Sequence, residues 1–164
     1  MDAAAREADA LASVAAASDP QLDDLWARAR EGEVDDLARL ADREGTTGLI
    51  LRAKDAAFLR TALMAMAYTG DLTGLPWLAD TAAGPDEGDA NAALASAAEL
   101  ASNPRRSVDP EDALEVRDGC DKLVLLAKDT VRSRARRVGA LRALRMLSDR
   151  GCAPADLPTD TDTR

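Results

Sequence analysis

Two stretches of this chain repeat the same pattern at a distance of 38 residues. When Leu22–Asp42 is aligned with Arg60–Asp80, eight of 21 positions are identical, whereas chance in a chain this rich in alanine and leucine would give about two. Each copy has an Ala/Leu segment, a glycine followed by an acid, and a second segment reading Leu-x-x-Leu-Ala-Asp. The second segment returns at Leu123–Lys128, and the first at Ala140–Leu144. Such units bury their apolar faces only by stacking, so the pattern predicts a tandem repeat.

The residues of the repeat favour helices. Alanine, leucine, arginine and glutamate dominate the periodic stretches, and aromatic residues make up 2% of the chain, so strands have almost no support. We therefore predict an all-α fold, an α-α superhelix of about three helical hairpins with terminal capping helices. Aspartates before alanine-rich or proline-started segments are expected to cap helices; the expected caps are Asp19, Asp55, Asp109 and either Asp129 or Thr130.

The breaks in the pattern divide the chain. We expect one helical-repeat domain over residues 1–151, with residues 1–18 as an N-terminal capping helix and residues 103–109 as an insertion loop. Residues 46–54, after Gly45, are expected to form a connector with at most one helical turn. The proline- and aspartate-rich residues 152–164 are expected to be an irregular tail.

Part of the repeat resembles a known family. The run Leu59–Asp71, followed by Leu75-Pro76-Trp77-Leu78, is similar to the Ala-Leu helix, Gly-Asp turn and Leu-Pro-x-Leu start of HEAT repeats, in particular the short bacterial repeats of phycobilisome lyases. The resemblance covers roughly residues 19–151. It implies a stacked-hairpin fold and protein binding along a groove, since a minority of such proteins are enzymes.

Charge is distributed unevenly along the chain. The net charge is −9 and the sequence pI about 4.5, which argues against a general nucleic-acid binder. Between Thr130 and Arg150, however, seven arginines stand against one acid, so this segment carries +6 and the remainder −15. We weigh three interpretations of the segment: a solvated helix whose charges pair with acidic neighbours, a contact for an acidic protein, and a contact for nucleic acid.

Candidate partner-binding residues follow from this charge and from the few aromatic side chains. They are Arg134, Arg137 and Arg145 in the basic segment, Tyr68 at a loop edge, and Trp77 in the repeat. Burial between hairpins is the alternative for Trp77, because the chain has few other large groups to fill a core.

The sequence does not decide the oxidation state of the two cysteines. Cys120 and Cys152 are either a disulfide or two buried thiols. If the last two helices form a tight antiparallel hairpin, the residue facing Cys120 is near Gly139, about 20 Å along the helix from Cys152. We therefore favour free thiols, with a disulfide requiring the chain to bend.

The absence of histidine excludes several kinds of catalytic and metal-binding site. It excludes a Ser-His-Asp or Cys-His centre, an imidazole proton shuttle and a histidine metal ligand. Nothing places paired carboxylates in a pocket, so we assign no catalytic, cofactor-binding or metal-binding residue and predict no enzyme.

The expected function is therefore non-catalytic binding or scaffolding of another protein through the repeat surface. The alternatives are an accessory factor of the lyase-like HEAT type and a self-assembling structural element. We expect a monomer without a membrane span. The location is expected to be cytoplasmic, or periplasmic or secreted for a chain from which a signal peptide has been removed.

Overall fold

A computed structural model describes residues 19–102, 109–148 and Cys152. Within these residues the chain forms seven α-helices, one short 3₁₀ helix and no strand. In chain order they are α1 (Pro20–Ala29), α2 (Val34–Arg52), α3 (Ala56–Met66), the 3₁₀ turn Leu72–Gly74, α4 (Leu75–Ala82), α5 (Glu87–Ser102), α6 (Ala113–Lys128) and α7 (Arg134–Met146). The predicted helix 1–18, all of the predicted loop 103–109 but Asp109, and all of the predicted tail but Cys152 lie outside the described residues.

The helices pack in two layers. In one layer α1 contacts α3, α3 contacts α5, and α5 contacts α7; in the other, α4 contacts α6. The layers are joined by contacts of α2 with α1 and α3, of α4 with α5, and of α6 with α7. The described chain is therefore three helical hairpins followed by a terminal helix, which confirms the predicted all-α superhelix. None of the described helices has the length and apolar content that crossing a bilayer requires.

The repeat detected in the sequence coincides with the hairpins α1–α2 and α3–α4. Five of its six identical apolar pairs are buried in both copies, namely Leu25 with Leu63, Ala29 with Ala67, Leu37 with Leu75, Leu40 with Leu78, and Ala41 with Ala79; in the sixth, Ala65 is buried and Ala27 is exposed. The turns also match, because Gly32 and Gly70 have φ angles of 84° and 65°, in the left-handed region that side chains disfavour. The partial copies follow the same rule, with Leu123 buried in α6 and Leu141 in α7.

Helix caps account for most of the boundaries. The carboxylates of Asp19 and Asp55 accept hydrogen bonds from Gln21 N at 2.9 Å and Ala57 N at 3.0 Å, as predicted. The expected caps of the last two helices are wrong: α6 begins after Asp112, and α7 after Ser133, whose hydroxyl accepts from the Arg136 backbone N–H at 3.2 Å.

The expected connector after Gly45 is absent from the described helices, and so is a break that a glycine inside a helix would suggest. Residues 46–52 are helical rather than a connector, so that α2 continues past a kink at Gly45 (φ 65°, ψ 178°). Helix α6 runs unbroken through Gly119. A Cβ at Gly119 would lie 2.6 Å from Leu75 Cβ and 3.0 Å from Pro76 N, so this glycine permits close packing of α6 on α4 rather than breaking the helix.

Small side chains let α5 occupy the centre of the stack. This helix contacts α3, α4 and α7, and its buried positions are mostly alanine. Ser96 in the same helix is buried, and its hydroxyl donates to the Leu63 backbone oxygen at 2.5 Å. The many alanines of the chain therefore let the helices pack closely together, and they leave little room for large core side chains.

The aromatic residues near the N-terminal end form a local cluster. Trp26 is buried and its indole N–H donates to Glu44 Oε1 at 2.9 Å. Its ring meets Phe58 edge to face at 5.5 Å, and the Arg52 guanidinium lies 4.5 Å from the Phe58 ring centroid. Trp26 is thus a core residue that fixes α1 against α2 and α3.

The last described residue is covalently tied to α6. Cys120 and Cys152 form a disulfide with a Cα–Cα distance of 5.7 Å across 32 residues, within the range that a disulfide spans. The expectation of free thiols is not met. It assumed that the last helix runs on toward Cys152, whereas α7 ends at Met146. Cys152 lies beside the end of α7, where its backbone N–H donates to Leu147 O at 3.3 Å.

Candidate protein-binding surface

Helix α7 is the last helix of the described stack, and only one of its sides is covered. Its buried side packs on α5 and α6 and includes Ala140, Leu141 and Leu144. At 100° per residue, the exposed positions fall on the opposite arc of the helix. We call this arc the α7 stripe; its members, apart from the small Ala135, are Arg134, Val138, Arg142, Arg145 and Met146.

The α7 stripe combines positive charge with exposed apolar side chains. Val138 is 37% exposed and Met146 49%, and both lie among three arginines. Of the seven large hydrophobic side chains exposed in the described residues, five belong to α6, α7 or the turn between them; these are Leu114, Leu125, Val131, Val138 and Met146. Exposed apolar surface is thus concentrated at the C-terminal end of the stack.

One arginine of α7 is structural, and it holds the helix in place. Arg136 is 4% exposed. Its guanidinium donates to the backbone oxygens of Ala82 at 3.2 Å and Gly84 at 2.6 Å, and to Glu87 Oε2 at 2.6 Å. These bonds tie the first turn of α7 to the end of α4 and the start of α5. We call this set the Arg136 clamp.

Glu87 completes the Arg136 clamp. Its carboxylate also accepts from the Ser133 hydroxyl, the residue that caps α7. The bond from Ser133, and then the bond from Arg136, lower the pKa of Glu87 below its ordinary value of 4.5, because both favour the ionised carboxylate. The sequence context of Glu87 does not reveal its bond to Arg136, since the two residues are 49 positions apart.

An ion pair also links α4 and α6. Lys122 of α6 approaches Asp80 of α4 at 2.9 Å and Asp118 of its own helix at 3.3 Å. Asp80, followed by Asp118, raises the pKa of Lys122. The position of α6 beside α4 is therefore supported by charge as well as by the close packing at Gly119.

The structure separates the arginines that the sequence grouped together. Arg134 and Arg145 lie on the α7 stripe, but Arg137 points to another side of the helix, is half-buried, and has a buried Nε. Arg142, which was not among the candidates, lies on the stripe instead. Helical periodicity makes this distinction only when the apolar positions Ala140, Leu141 and Leu144 are included, because Arg137 lies on their side of the helix and Arg142 does not.

The two aromatic candidates lie elsewhere. Tyr68 follows α3 and Trp77 is within α4; both are half-buried and pack against the core. Neither belongs to the terminal α6–α7 pair.

A second surface feature is a groove of about 440 Å³ between α1 and α2. Its lining mixes both signs of charge, because Arg28, Arg39 and Arg43 line it together with Asp24 and Asp42. Arg28 pairs with Asp24 at 3.1 Å, and Arg43 pairs at 2.8 Å with Asp19 beside the groove. Among the described residues, no cluster of three or more acidic or cysteine side chains has the arrangement of a metal site. The groove therefore gives no sign of a preferred ligand.

Comparison with known proteins adds no relative. No protein-family profile, no curated protein and no solved structure matches this chain.

Proposed function

We propose that this chain is a non-catalytic protein-binding module, a helical repeat of the HEAT type, and that its binding surface is the α7 stripe. The observation that carries the proposal is the position of the exposed apolar side chains: five of the seven lie in α6, α7 or the turn between them, and two of these, Val138 and Met146, lie on the stripe itself. Exposed apolar side chains scattered singly need no explanation, whereas a group of them beside charged residues is typical of an interaction site.

The composition of the α7 stripe supports binding to a protein. Arginine and methionine are enriched in protein interfaces, and the stripe carries three arginines and Met146. An arginine stem also covers apolar surface while its guanidinium stays in water. The stripe can therefore stay hydrated when free and still present apolar surface to a partner.

The rigidity of the support favours the same function. The Arg136 clamp fixes one end of α7, and the Cys120–Cys152 disulfide ties the chain after its other end to α6. A surface that is already ordered before binding loses less conformational entropy when the partner arrives. Both restraints thus hold the α7 stripe ready for a partner.

A quantitative pull-down from an extract of the source organism tests the proposal. The wild type is compared with a variant carrying Val138→Asp and Arg142→Glu, and with Arg39→Glu, which reverses an exposed arginine on α2. We expect the stripe variant to lose at least one partner that the Arg39 variant retains. Partners retained by the stripe variant and lost from Arg39→Glu would assign binding to the groove and contradict the proposal. Circular dichroism confirms that both variants fold.

A further inference from the structure

The chemistry of the α7 stripe restricts the partners that fit it. The stripe is basic, whereas the rest of the chain is acidic, with −15 outside residues 130–150. A negatively charged partner is repelled by most of this molecule and attracted by one helix, so the field directs it to the end of the stack. A basic partner would experience the opposite field. Charge therefore selects an acidic occupant for this surface.

Apolar spacing on the stripe restricts the partner further. Val138 and Met146 are eight residues apart in one helix, which places them about 12 Å apart along its axis. Arg134 extends the stripe to about 18 Å, measured from Arg134 to Met146. A second helix laid along α7 presents one face at three- and four-residue intervals and so matches both lengths with two to three turns.

We propose that the α7 stripe binds an acidic amphipathic helix of another protein. Leucine, isoleucine or methionine side chains of that helix contact Val138 and Met146, and its flanking aspartates and glutamates meet Arg134, Arg142 and Arg145. This inference rests on the proposed function and names the partner's chemistry. Carboxylates recognise the guanidinium fork in a two-pronged geometry that lysine does not offer.

The same features argue against nucleic acid as the occupant. Recognition of single strands uses aromatic side chains on which bases stack, and the α7 stripe contains none. Duplex binding uses many cations that follow the phosphate backbone, while two of the five stripe residues are apolar. An acidic amphipathic helix contacts both the arginines and the apolar side chains of the stripe. A phosphate backbone pairs only with the arginines.

The test is a selection from a phage library of random 16-residue peptides. Wild-type protein is the target, and the Val138→Asp, Arg142→Glu variant is used to remove peptides that bind elsewhere. The enriched sequences are then made as fluorescent peptides and titrated against wild type, the stripe variant and Arg39→Glu. A 20-base-pair DNA duplex is titrated in parallel.

We expect enriched peptides with apolar residues three, four or seven apart and carboxylates between them. Their affinity should fall at least tenfold in the stripe variant, remain within twofold in Arg39→Glu, and weaken as salt is raised. Stripe-dependent peptides without carboxylates would overturn the acidic partner and leave the proposed surface intact, and so would a duplex that binds more tightly than the peptides. If no peptide distinguishes wild type from the stripe variant, the proposed function itself fails.

Discussion

Arg136 Nε lies 2.6 Å from Glu87 Oε2, and this pair joins the first turn of α7 to the first turn of α5. Ser133 reinforces the junction, since its hydroxyl donates to the same carboxylate and accepts from the Arg136 backbone N–H. The orientation of the terminal helix, and with it the direction of the α7 stripe, is therefore fixed by three polar side chains as well as by apolar packing.

Replacement of Arg136 should destabilise the fold markedly. Arg136→Ala leaves the carbonyl oxygens of Ala82 and Gly84 without their donor, and we expect the free energy of unfolding to fall by about 2–3 kcal/mol. Arg142→Ala, on the exposed side of the same helix, should change it by less than about 0.5 kcal/mol. Urea unfolding followed by circular dichroism measures both values, and equal effects of the two variants would contradict the assignment of Arg136 as the clamp.

The Glu87 contribution should depend on pH in a defined direction. Its pKa is lowered in the folded protein below the ordinary value of 4.5, so the ionised carboxylate stabilises the fold above that pH. This stabilisation is lost as the pH falls through the lowered pKa of the folded state. We therefore expect the difference in unfolding free energy between wild type and Glu87→Gln to be constant from pH 8 to 6 and to shrink below about pH 4.5.

Glu99→Gln supplies the control for that measurement. Glu99 lies on the exposed side of the same helix, so the difference between this variant and wild type should stay small at every pH. A Glu87→Gln difference that grows on acidification would have the wrong sign and would exclude the proposed linkage.

The disulfide should be a main source of stability at the end of the stack. It closes a loop of 32 residues, for which the restricted entropy of the unfolded chain predicts about 3–4 kcal/mol. We expect reduction of the wild type to lower the unfolding free energy by this amount. The Cys120→Ala, Cys152→Ala variant should be similarly weakened and should not respond to the reductant. An unchanged denaturation midpoint on reduction of the wild type would show that the bond contributes nothing.

Gly119 should tolerate no side chain. Ala is the better helix former by about 1 kcal/mol, but its Cβ would meet backbone and Cβ atoms of α4 at 3.0 Å and 2.6 Å. Overpacking of this kind costs about 1–3 kcal/mol, so Gly119→Ala should lower the thermal midpoint. Gly139→Ala is the matched case, because a Cβ there would lie 3.0 Å from Leu94 Cδ1 and 3.1 Å from Leu94 Cβ, so that a smaller shift relieves the contact than at Gly119. A larger loss at Gly139 than at Gly119 would contradict the packing argument.

The extent to which the fold follows from the sequence depends on the range of the interaction. The caps at Asp19 and Asp55 and the turns at Gly32 and Gly70 are local, and they were predicted from the residues themselves. Gly119 looks like a helix breaker in isolation, because the helix α4 that requires a glycine there is more than 40 residues away in the sequence. The break at Gly45 was expected as the end of a helix, but it is a kink, and residues 46–52 continue as helix beyond it.

The candidate site, too, could be predicted from the sequence only where it depends on local features. The basic character of the terminal helix is visible in the sequence, and the exposed positions of Arg134 and Arg145 agree with it. The role of Arg136 was missed because its acceptors lie in the α4–α5 turn, 49 to 54 residues earlier. Which arginines face solvent depends on where α5 and α6 pack, and composition alone carries no information about that.

The most direct test of the account is a map of where a bound peptide contacts the protein. At 17.3 kDa the chain suits amide and methyl NMR, recorded while a selected stripe-dependent peptide is added. We predict shift changes centred on Val138, Arg142, Arg145 and Met146, with the α1–α2 groove unaffected. Shift changes centred on the groove at Arg28 and Arg39, with the resonances of α7 unmoved, would contradict the central claim that the exposed side of α7 is the binding surface.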